Sequence, residues 1–497
     1  MGRGKEALLD LVCRPLCAYF KPDRIDPEEE CGPLAIIRDL IDSRPGLSAR
    51  PGEANPPAKG PLQIAAEMVC PACPYQAEDC DFADPNGPPG APPCGGLAWL
   101  ARGLQEAAID HGELARAARV LQFVFLAPEV VLKRLEAPHV YHLTPDELYE
   151  VNDQALDFLR ACDGSRRLAD LGPDPEFLDF CLNEGLLRLT DEPRPTPVHL
   201  GGQAPVPSLR YLEVQITRRC NLACRHCYLG PARARDLAPE AFGRLVADLV
   251  SISGLRIMIS GGEPLSHPRF GEINDRLAGT PLRRVLLTNG TLLTPETARR
   301  LEFHEVQISL DGLEAGHDAL RGPGSFQRAL AGLRAAREAG LAVSVATMVH
   351  PANLTEFEGL ARLLDDLGVI EWGIDAPCLT GPEAEGLAVS PAEAARAMAY
   401  GFGGGFHGED GGGYTCGRHL ATVTPEGMLA PCGFYEPLGP VEDGLARIWS
   451  RRKWISLEEL DCAGCPHLDV CGGGCRFRAG SPRGRDPVMC AVYQREE

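Results

Sequence analysis

The chain has 497 residues, of which 44% are hydrophobic, and a formal net charge of -20. That length predicts about three or four domains, and the acidic balance argues against nucleic acid and against an anionic membrane surface as partners. No apolar run reaches membrane-spanning length, and the N-terminal residues lack the apolar core of a signal peptide, so a soluble cytoplasmic protein is expected.

In the cytoplasm the 20 cysteines are expected to bind metal rather than to pair as disulfides. Residues 1–137 are rich in Cys, Pro and Gly, with a helical stretch predicted near 97–120. Cys70, Cys73, Cys80 and Cys94 stand there in a C-x2-C-x6-C-x13-C arrangement. Four thiolates brought together by proline and glycine turns could hold zinc or an iron–sulfur cluster; unligated thiols are the alternative. The spacing of Cys13, Cys17 and Cys31 is uninformative, and Cys162 and Cys181 fall on apolar helix faces, as core residues do.

Residues 138–192 predict a small α+β domain of winged-helix type. Strands at Val140–Leu143 and Leu148–Val151 flank a Thr144-Pro145-Asp146 turn. A helix over Gln154–Cys162 follows, with Asn152 and Asp153 as cap candidates; then come a short helix near Arg167, a longer one over Pro175–Glu184, and a closing strand at Arg188–Thr190. Residues 193–208, with five prolines and two glycines, read as a linker. Residues 209–380 alternate six strand-like runs with helical patterns: Leu209–Thr217, Arg256–Ser260, Val285–Thr288, Val306–Leu310, Val343–Val349 and Trp372–Asp375. That alternation implies α/β architecture around a parallel sheet, with ligands at the carboxyl ends of the strands. A bridge over 381–415 contains a Gly-rich run, and residues 416–497 are cysteine-rich.

Directly after the first of those strands, Cys220, Cys224 and Cys227 form a C-x3-C-x2-C run followed by Tyr228. Three thiolates at this spacing can hold three irons of a [4Fe–4S] cluster and leave the fourth open; a zinc site or core cysteines are the alternative. The run resembles the signature of radical S-adenosylmethionine (radical SAM) enzymes. The resemblance implies a partial (β/α)6 TIM-like barrel and an open iron that binds the amino and carboxylate groups of SAM. It also implies one-electron cleavage of SAM to a 5′-deoxyadenosyl radical. Gly261, Gly262 and Glu263 follow the second strand and look like the family's GGE motif, with Glu263 receiving the SAM ammonium. By the same resemblance Asn289, Ser309, Arg321 and Tyr228 join the SAM site, Ser309 at the ribose or carboxylate and Arg321 at the carboxylate. Asn289 and Asp311 could equally cap turns, and Thr347 and Met348 could line an adenine pocket or belong to the core.

The tail reads Cys416, ten residues, Gly427, four residues, Cys432, then Cys462-x2-Cys465-x5-Cys471-x3-Cys475 and, after fourteen residues, Cys490. Zinc ribbons also use C-x2-C pairs, but the order resembles the SPASM extension of radical SAM enzymes. That resemblance implies two auxiliary [4Fe–4S] clusters, for three in all. Cys416, Cys432 and Cys475 would hold the inner one; Cys462, Cys465, Cys471 and Cys490 would hold the outer one. No cysteine lies between Gly417 and Glu426, so the inner cluster either keeps an open iron or borrows Cys378.

The 138–192 stretch, through its Val151-Asn152-Asp153, Cys162-Asp163-Gly164 and Glu184-Gly185-Leu186 segments, resembles the peptide-binding chaperone of pyrroloquinoline quinone biosynthesis. Such elements take a leader peptide as an added strand. The combined resemblance is to radical SAM/SPASM peptide maturases, similar to the radical SAM enzyme of that pathway. It implies an oxidoreductase-type enzyme that crosslinks or oxidises a residue of a ribosomally made peptide. The implied partners are a precursor peptide with its leader and an electron donor of flavodoxin or ferredoxin type. Sulfatase-type protein maturation and small-molecule cofactor or haem biosynthesis are the alternatives.

Overall fold

The computed structural model describes residues 31–43, 59–70, 73, 93–106, 108–378, 386–403 and 417–493. In chain order its first helices are α1 (Gly32–Ser43), α2 (Lys59–Val69), α3 (Gly95–Gln105) and α4 (His111–Ala118). The strands β1 (Phe123–Leu126), β2 (Val130–Arg134), β3 (Pro138–His142) and β4 (Glu147–Glu150) follow. Next come α5 (Asp153–Ala161), β5 (Asp163–Arg167), α6 (Leu168–Leu171), α7 (Pro175–Asn183), β6 (Leu187–Thr190) and β7 (Leu200–Gln203). The chain divides into two compact units, one of residues 1–130 and 153–198, the other of residues 131–152 and 199–497.

In the first unit α1, α3 and α4 bury Leu34, Ile36, Ile37, Leu97, Trp99, Leu100 and Leu114 in one apolar core, joined by Ile109 from the turn between α3 and α4. Asp110 starts α4 with a reciprocal capping box to Glu113, which satisfies two helix-end donors. Cys31, Cys70 and Cys94 pack at the edge of this core, and the Cys94 thiol caps α3 by accepting from the Leu97 amide at 3.4 Å. Cys80 lies outside the described residues, as do Cys13 and Cys17. The same unit holds an antiparallel sheet in the order β5-β1-β6. Arg194 and Thr196 donate to the Gly164 and Asp163 carbonyls at 2.9 and 2.7 Å, covering the outer edge of β5 and leaving β6 as the other outer strand. Cys162 and Cys181 are buried, as their apolar faces predicted.

The 138–192 stretch is therefore divided. Its helices and closing strand join β1 in the first unit, whereas the β3–β4 hairpin belongs to the second. There the hairpin forms a sheet in the order β4-β3-β2-β7, and β7 gives strand structure to part of the stretch read as a linker. Tyr141 and Leu143 of this hairpin pack with Val131 and Leu135 against Tyr211, Leu255, Met258 and Val285. Asp146, in the hairpin turn, pairs with Arg256 and with Arg283 (3.1 Å), and Arg283 also pairs with Glu305 at 2.6 Å. The hairpin is held to this unit because it covers apolar surface and supplies a carboxylate to two buried guanidiniums. β3 has strands on both sides, so Val140–Leu143 offers no free edge; β4 is the outer strand.

Beyond β7 the second unit builds β8 (Tyr211–Gln215), α8 (Pro239–Ser251), β9 (Arg256–Ser260), α9 (Phe270–Asp275), β10 (Arg283–Thr288), α10 (Pro295–Ala298) and β11 (Glu305–Ser309). Then follow α11 (Glu314–Arg321), α12 (Ser325–Glu338), β12 (Ala342–Met348), α13 (Phe357–Asp366) and β13 (Glu371–Asp375). β8 to β13 pair in parallel in sequence order, matching the six runs read from the sequence. One face of these strands, including Leu212, Val214, Ile257, Ile259, Val306, Ile308, Val343 and Val345, packs with Phe242 and Leu249 of α8, Leu333 of α12 and Leu360 of α13. Alternation puts the intervening residues on the opposite face. That inner face runs from Tyr211, Met258 and Val285 near the strand starts to Gln215, Ser260 and Ser309 at the carboxyl ends.

The tail extends this sheet. β14 (Leu420–Val423) pairs in parallel with β8, and β15 (Met428–Ala430) and β16 (Gly439–Pro440) continue antiparallel. The remaining helices are α14 (Pro391–Met398), α15 (Leu445–Trp449), α16 (Leu468–Cys471) and α17 (Pro487–Tyr493).

Candidate active site at the carboxyl ends of the strands

The loop after β8 carries the cysteine triad. Its shape is set by backbone bonds: Arg218 donates to Arg235 at 2.8 Å, and Cys227 donates to Cys224 at 3.1 Å in a tight turn. Thr217 accepts from the Arg219 amide at 3.0 Å and donates to Asp236 at 2.6 Å. Cys220 and Cys224 are half-buried and Cys227 is exposed. Burial raises the Cys220 and Cys224 thiols, the latter to about 11; Cys224 also feels the other two sulfurs of the triad, Cys220 feels that of Cys227, and both feel the Arg321 guanidinium. Three thiols on one loop, close enough to act on one another beside a fixed cation, are a donor set that fits a [4Fe–4S] cluster.

Gly261 and Gly262 bring the end of β9 against this loop. The Gly262 and Glu263 amides donate to the Thr217 and Arg219 carbonyls, both at 2.8 Å. A Cβ on Gly262 would lie 2.4 Å from the Arg219 oxygen and 3.0 Å from the Cys220 Cβ; one on Gly261, whose φ is +144°, would lie 2.4 Å from the Thr217 oxygen. The close approach that these glycines permit is to the cysteine loop itself. Glu263 is fully buried. Its carboxylate accepts from the Thr288 hydroxyl at 2.8 Å, the Asn289 amide at 2.9 Å and the Leu265 amide at 3.1 Å. Burial raises its pKa against those three bonds. Glu263 therefore fastens the end of β10 to the turn after β9.

Asn289 does cap a turn, accepting from the Thr291 amide at 2.9 Å, and its side-chain amide also donates to Asn221 at 3.0 Å. Asn221 lies inside the cysteine run, so the third strand end is tied to the triad as well. Ser309 ends β11 half-buried on the inner face. Arg321 ends α11 with its guanidinium paired to the buried Asp311. Asp311 also accepts from the Met348 amide at 2.7 Å. Burial opposes ionisation of Asp311, but Arg321 and His226 outweigh it and hold its pKa below the usual carboxylate range. Arg321 in turn feels the Cys224 and Cys220 sulfurs. Thr347 donates to the Leu310 carbonyl at 2.6 Å and accepts from Trp372 at 2.8 Å, which makes it part of the core.

Sequence reasoning did not reach three features. His226 sits between two triad cysteines with its ring buried and its Nδ1 without a partner among the described residues; burial lowers its pKa to about 4. Asn221, inside the run, donates to Thr291 at 2.8 Å and accepts from Asn289 at 3.0 Å. Tyr228 accepts from Gln215 at 3.0 Å and packs its ring at a tilt on Phe434, centroids 4.7 Å apart, which packs likewise on Phe477 at 4.9 Å. That aromatic row joins the triad loop to the turns carrying Cys432 and Cys475.

In the tail, Cys465 donates its amide to the Cys462 carbonyl at 2.9 Å, as a C-x2-C turn does, and Cys490 lies in α17. Burial raises the Cys471 thiol, with Cys490 and Cys462 adding to it; Cys490 is raised likewise, with Cys462 and Cys465 contributing. These four sulfurs therefore form one group. The Cys475 Sγ lies 3.8 Å from that of Cys378. Cys416 lies outside the described residues.

A parallel α/β sheet bearing a three-cysteine loop at the end of its first strand is the arrangement of the radical SAM fold. Residues 214–364 match the model of the Radical SAM superfamily. The chain is 30% identical over 321 residues to the AdoMet-dependent heme synthase of Methanosarcina barkeri, an alignment that spans 54% of this chain and 92% of that protein. It belongs to the radical SAM family, whose chemistry uses SAM and a [4Fe–4S] cluster. It is also 40% identical over 158 residues to the mycofactocin maturase MftC of Mycobacterium tuberculosis, covering 30% of this chain and 40% of that protein. Among solved structures it is similar in fold to Streptococcus suis SuiB bound to S-adenosylmethionine. That match has a TM-score of 0.56 at 14% identity and covers 74% of this chain and 99% of that one. SuiB has also been solved bound to its precursor peptide SuiA. No described helix is long and apolar enough to cross a membrane.

Proposed function

We propose that this radical SAM enzyme acts on a residue of a ribosomally synthesised peptide, forming a crosslink or an oxidised side chain. The observation that carries the reading is the fold likeness to SuiB over 74% of the chain, more than the barrel and tail alone account for. The sequence likeness to a mycofactocin maturase supports it. Cys220, Cys224 and Cys227 hold the SAM cluster. Gly261, Gly262, Glu263, Asn289, Ser309, Arg321 and Tyr228 shape the SAM site around it, with the Arg321 guanidinium, oriented by Asp311, facing the SAM carboxylate. Cys416, Cys432 and Cys475 serve an inner auxiliary cluster, and Cys462, Cys465, Cys471 and Cys490 an outer one, in a SPASM domain. Cys70, Cys73, Cys80 and Cys94 form a further zinc or iron–sulfur site, with Cys31 at the edge of the same helical core. When bound, these groups supply a 5′-deoxyadenosyl radical and take up the electron left by substrate oxidation. A flavodoxin or ferredoxin of the cytoplasm supplies the reducing electron.

Recruitment falls to the first unit. With the edge of β5 covered, an incoming leader strand adds to β6. Beside it α7 carries Phe177 and the exposed Phe180, stacked 6.3 Å apart, as apolar anchorage.

A second reading, synthesis of haem from a tetrapyrrole precursor, is favoured by the heme synthase likeness along 92% of that relative. One experiment separates them. Anaerobically reconstituted protein is given SAM, a reductant and either short peptides encoded beside its gene or a haem-precursor porphyrin. The expected result is 5′-deoxyadenosine with a peptide lighter by about two hydrogens per crosslink, and no product from a variant with all three triad cysteines changed to Ala. Porphyrin conversion with every peptide unchanged refutes the peptide reading.

A further inference from the structure

We infer that the loop bearing the cysteine triad is also the docking surface for the electron donor, a small acidic carrier protein drawn in by the arginines of that loop. The inference rests on the reading above that a protein of this kind reduces the SAM cluster.

The first observation is charge. The chain as a whole carries a formal net charge of -20, which repels an acidic protein. Residues 218–235 run against that balance. They hold Arg218, Arg219, Arg225, Arg233 and Arg235 and contain no acidic residue. Three thiolates give the cluster itself negative charge, so a donor of the same sign needs a local positive field to reach it.

The second is how the loop is built. Its ends are pinned together by the pairing of Thr217 with Asp236. Backbone bonds from Arg218 to Arg235 at 2.8 Å and from Arg233 to Arg218 at 3.0 Å tighten the same closure. Arginines from both ends of the loop therefore stand side by side. Arg225, Arg233 and Arg235 are exposed, and so is Cys227, whereas Cys220 and Cys224 are half-buried. The triad sulfur most open to a protein donor thus shares its loop with the exposed guanidiniums.

The third is that support of the loop does not account for these side chains. Arg218 braces it by donating to the Leu229 carbonyl at 3.2 Å, and Arg219 by pairing with Asp236 at 3.0 Å. Arg225, Arg233 and Arg235 make no side-chain hydrogen bond among the described residues. Glu426, in the turn between β14 and β15, stands 3.6 Å from both Arg218 and Arg235, beyond hydrogen-bonding distance. Arg225 and Arg233 make no ion pair among the described residues. Two carboxylates against five guanidiniums leave the surface positive. Association steered by such a field is fast at low ionic strength and slows as salt screens it.

The test uses iron-loaded full-length protein with SAM and one of two reductants: an acidic bacterial flavodoxin in its hydroquinone form, or the methyl viologen radical cation, a small donor of the opposite charge. The readout is the initial rate of 5′-deoxyadenosine formation with the donor limiting. The flavodoxin rate should fall about tenfold or more between roughly 50 mM and 500 mM salt. At low salt, Arg233→Glu with Arg235→Glu should lower it by about tenfold and leave the viologen rate within about twofold. Glu426→Gln frees Arg218 and Arg235 of their carboxylate and should raise the flavodoxin rate, a gain that damage to the loop cannot produce. Equal slowing of both donors by the double variant, with no gain from E426Q, overturns the inference, because it marks the arginines as supports of the loop. A flavodoxin rate that ignores salt and every variant overturns the docking surface and leaves the donor reading standing. Product with viologen and none with flavodoxin overturns the donor reading together with its surface.

Discussion

Replacing Gly262 by Ala tests whether the turn after β9 is there to dock the cysteine loop. The added methyl would stand 2.4 Å from the Arg219 carbonyl oxygen and 3.0 Å from the Cys220 Cβ. Restoring ordinary contact requires an opening of about 1 Å, since carbon atoms pack at roughly 3.5–4.0 Å. The obstacle is backbone, so no side chain can swing away. An opening of that size stretches the Gly262–Thr217 and Glu263–Arg219 bonds from 2.8 Å beyond hydrogen-bonding range. Two buried backbone bonds at about 1 kcal/mol each, with overpacking at about 1–3 kcal/mol, give a loss of about 3–5 kcal/mol. Cys220 is displaced with the loop, so SAM-cluster iron should also fall, by about four irons per chain at full effect. Gly271→Ala is the matched control. Its Cβ would meet nothing within 4 Å in α9, and Ala for Gly in a helix gains up to about 1 kcal/mol. Urea unfolding of the two apo variants and iron content after reconstitution provide the comparison. Equal midpoints and equal iron in G262A and G271A would refute the docking argument.

Two further outcomes follow from buried charge in the second unit. Burial alone would raise Glu136, but the Ser208 amide and Arg210, the latter at 2.8 Å, outweigh it and hold its pKa at about 2 against 4.5 when unfolded. Its stabilising contribution is therefore complete above pH 4.5 and is lost as pH falls toward 2; Glu136→Gln should remove about 2 kcal/mol of the stability that the parent loses between pH 6 and pH 3, seen as a flatter pH dependence of the urea midpoint, and parallel curves would contradict it. Arg283→Met leaves Glu305 buried without its cation and weakens the hold on Asp146, so it should cost about 3–5 kcal/mol in the same assay; a loss under about 1 kcal/mol would show that the pair is not what fastens the β3–β4 hairpin.

The sequence by itself determined the elements whose signals are local. The C-x3-C-x2-C loop needs only its spacing, and the Gly261–Gly262–Glu263 turn only its composition and its place after a strand. The six parallel strands were legible because β-branched and aliphatic runs alternate with helical periodicity. The burial of Cys162 and Cys181 followed in the same way from helix faces. What no local pattern carries is which distant segments meet. The β3–β4 hairpin reads as the start of a small domain, yet Tyr141, Leu143 and Asp146 complete the apolar and ionic surroundings of Tyr211, Met258, Arg256 and Arg283. β14 is four residues of ordinary strand sequence, and only its pairing with β8, more than 200 positions earlier, makes it a seventh parallel strand. Asp311 reads from the sequence as a turn-cap candidate until α11 returns Arg321 to it. Cys378 reads from the sequence only as a cysteine that could be borrowed, and the fold alone puts its Sγ 3.8 Å from that of Cys475. Each of these depends on a contact between residues far apart in the chain. Burying apolar surface and neutralising buried charge select such contacts, and both are properties of the folded whole.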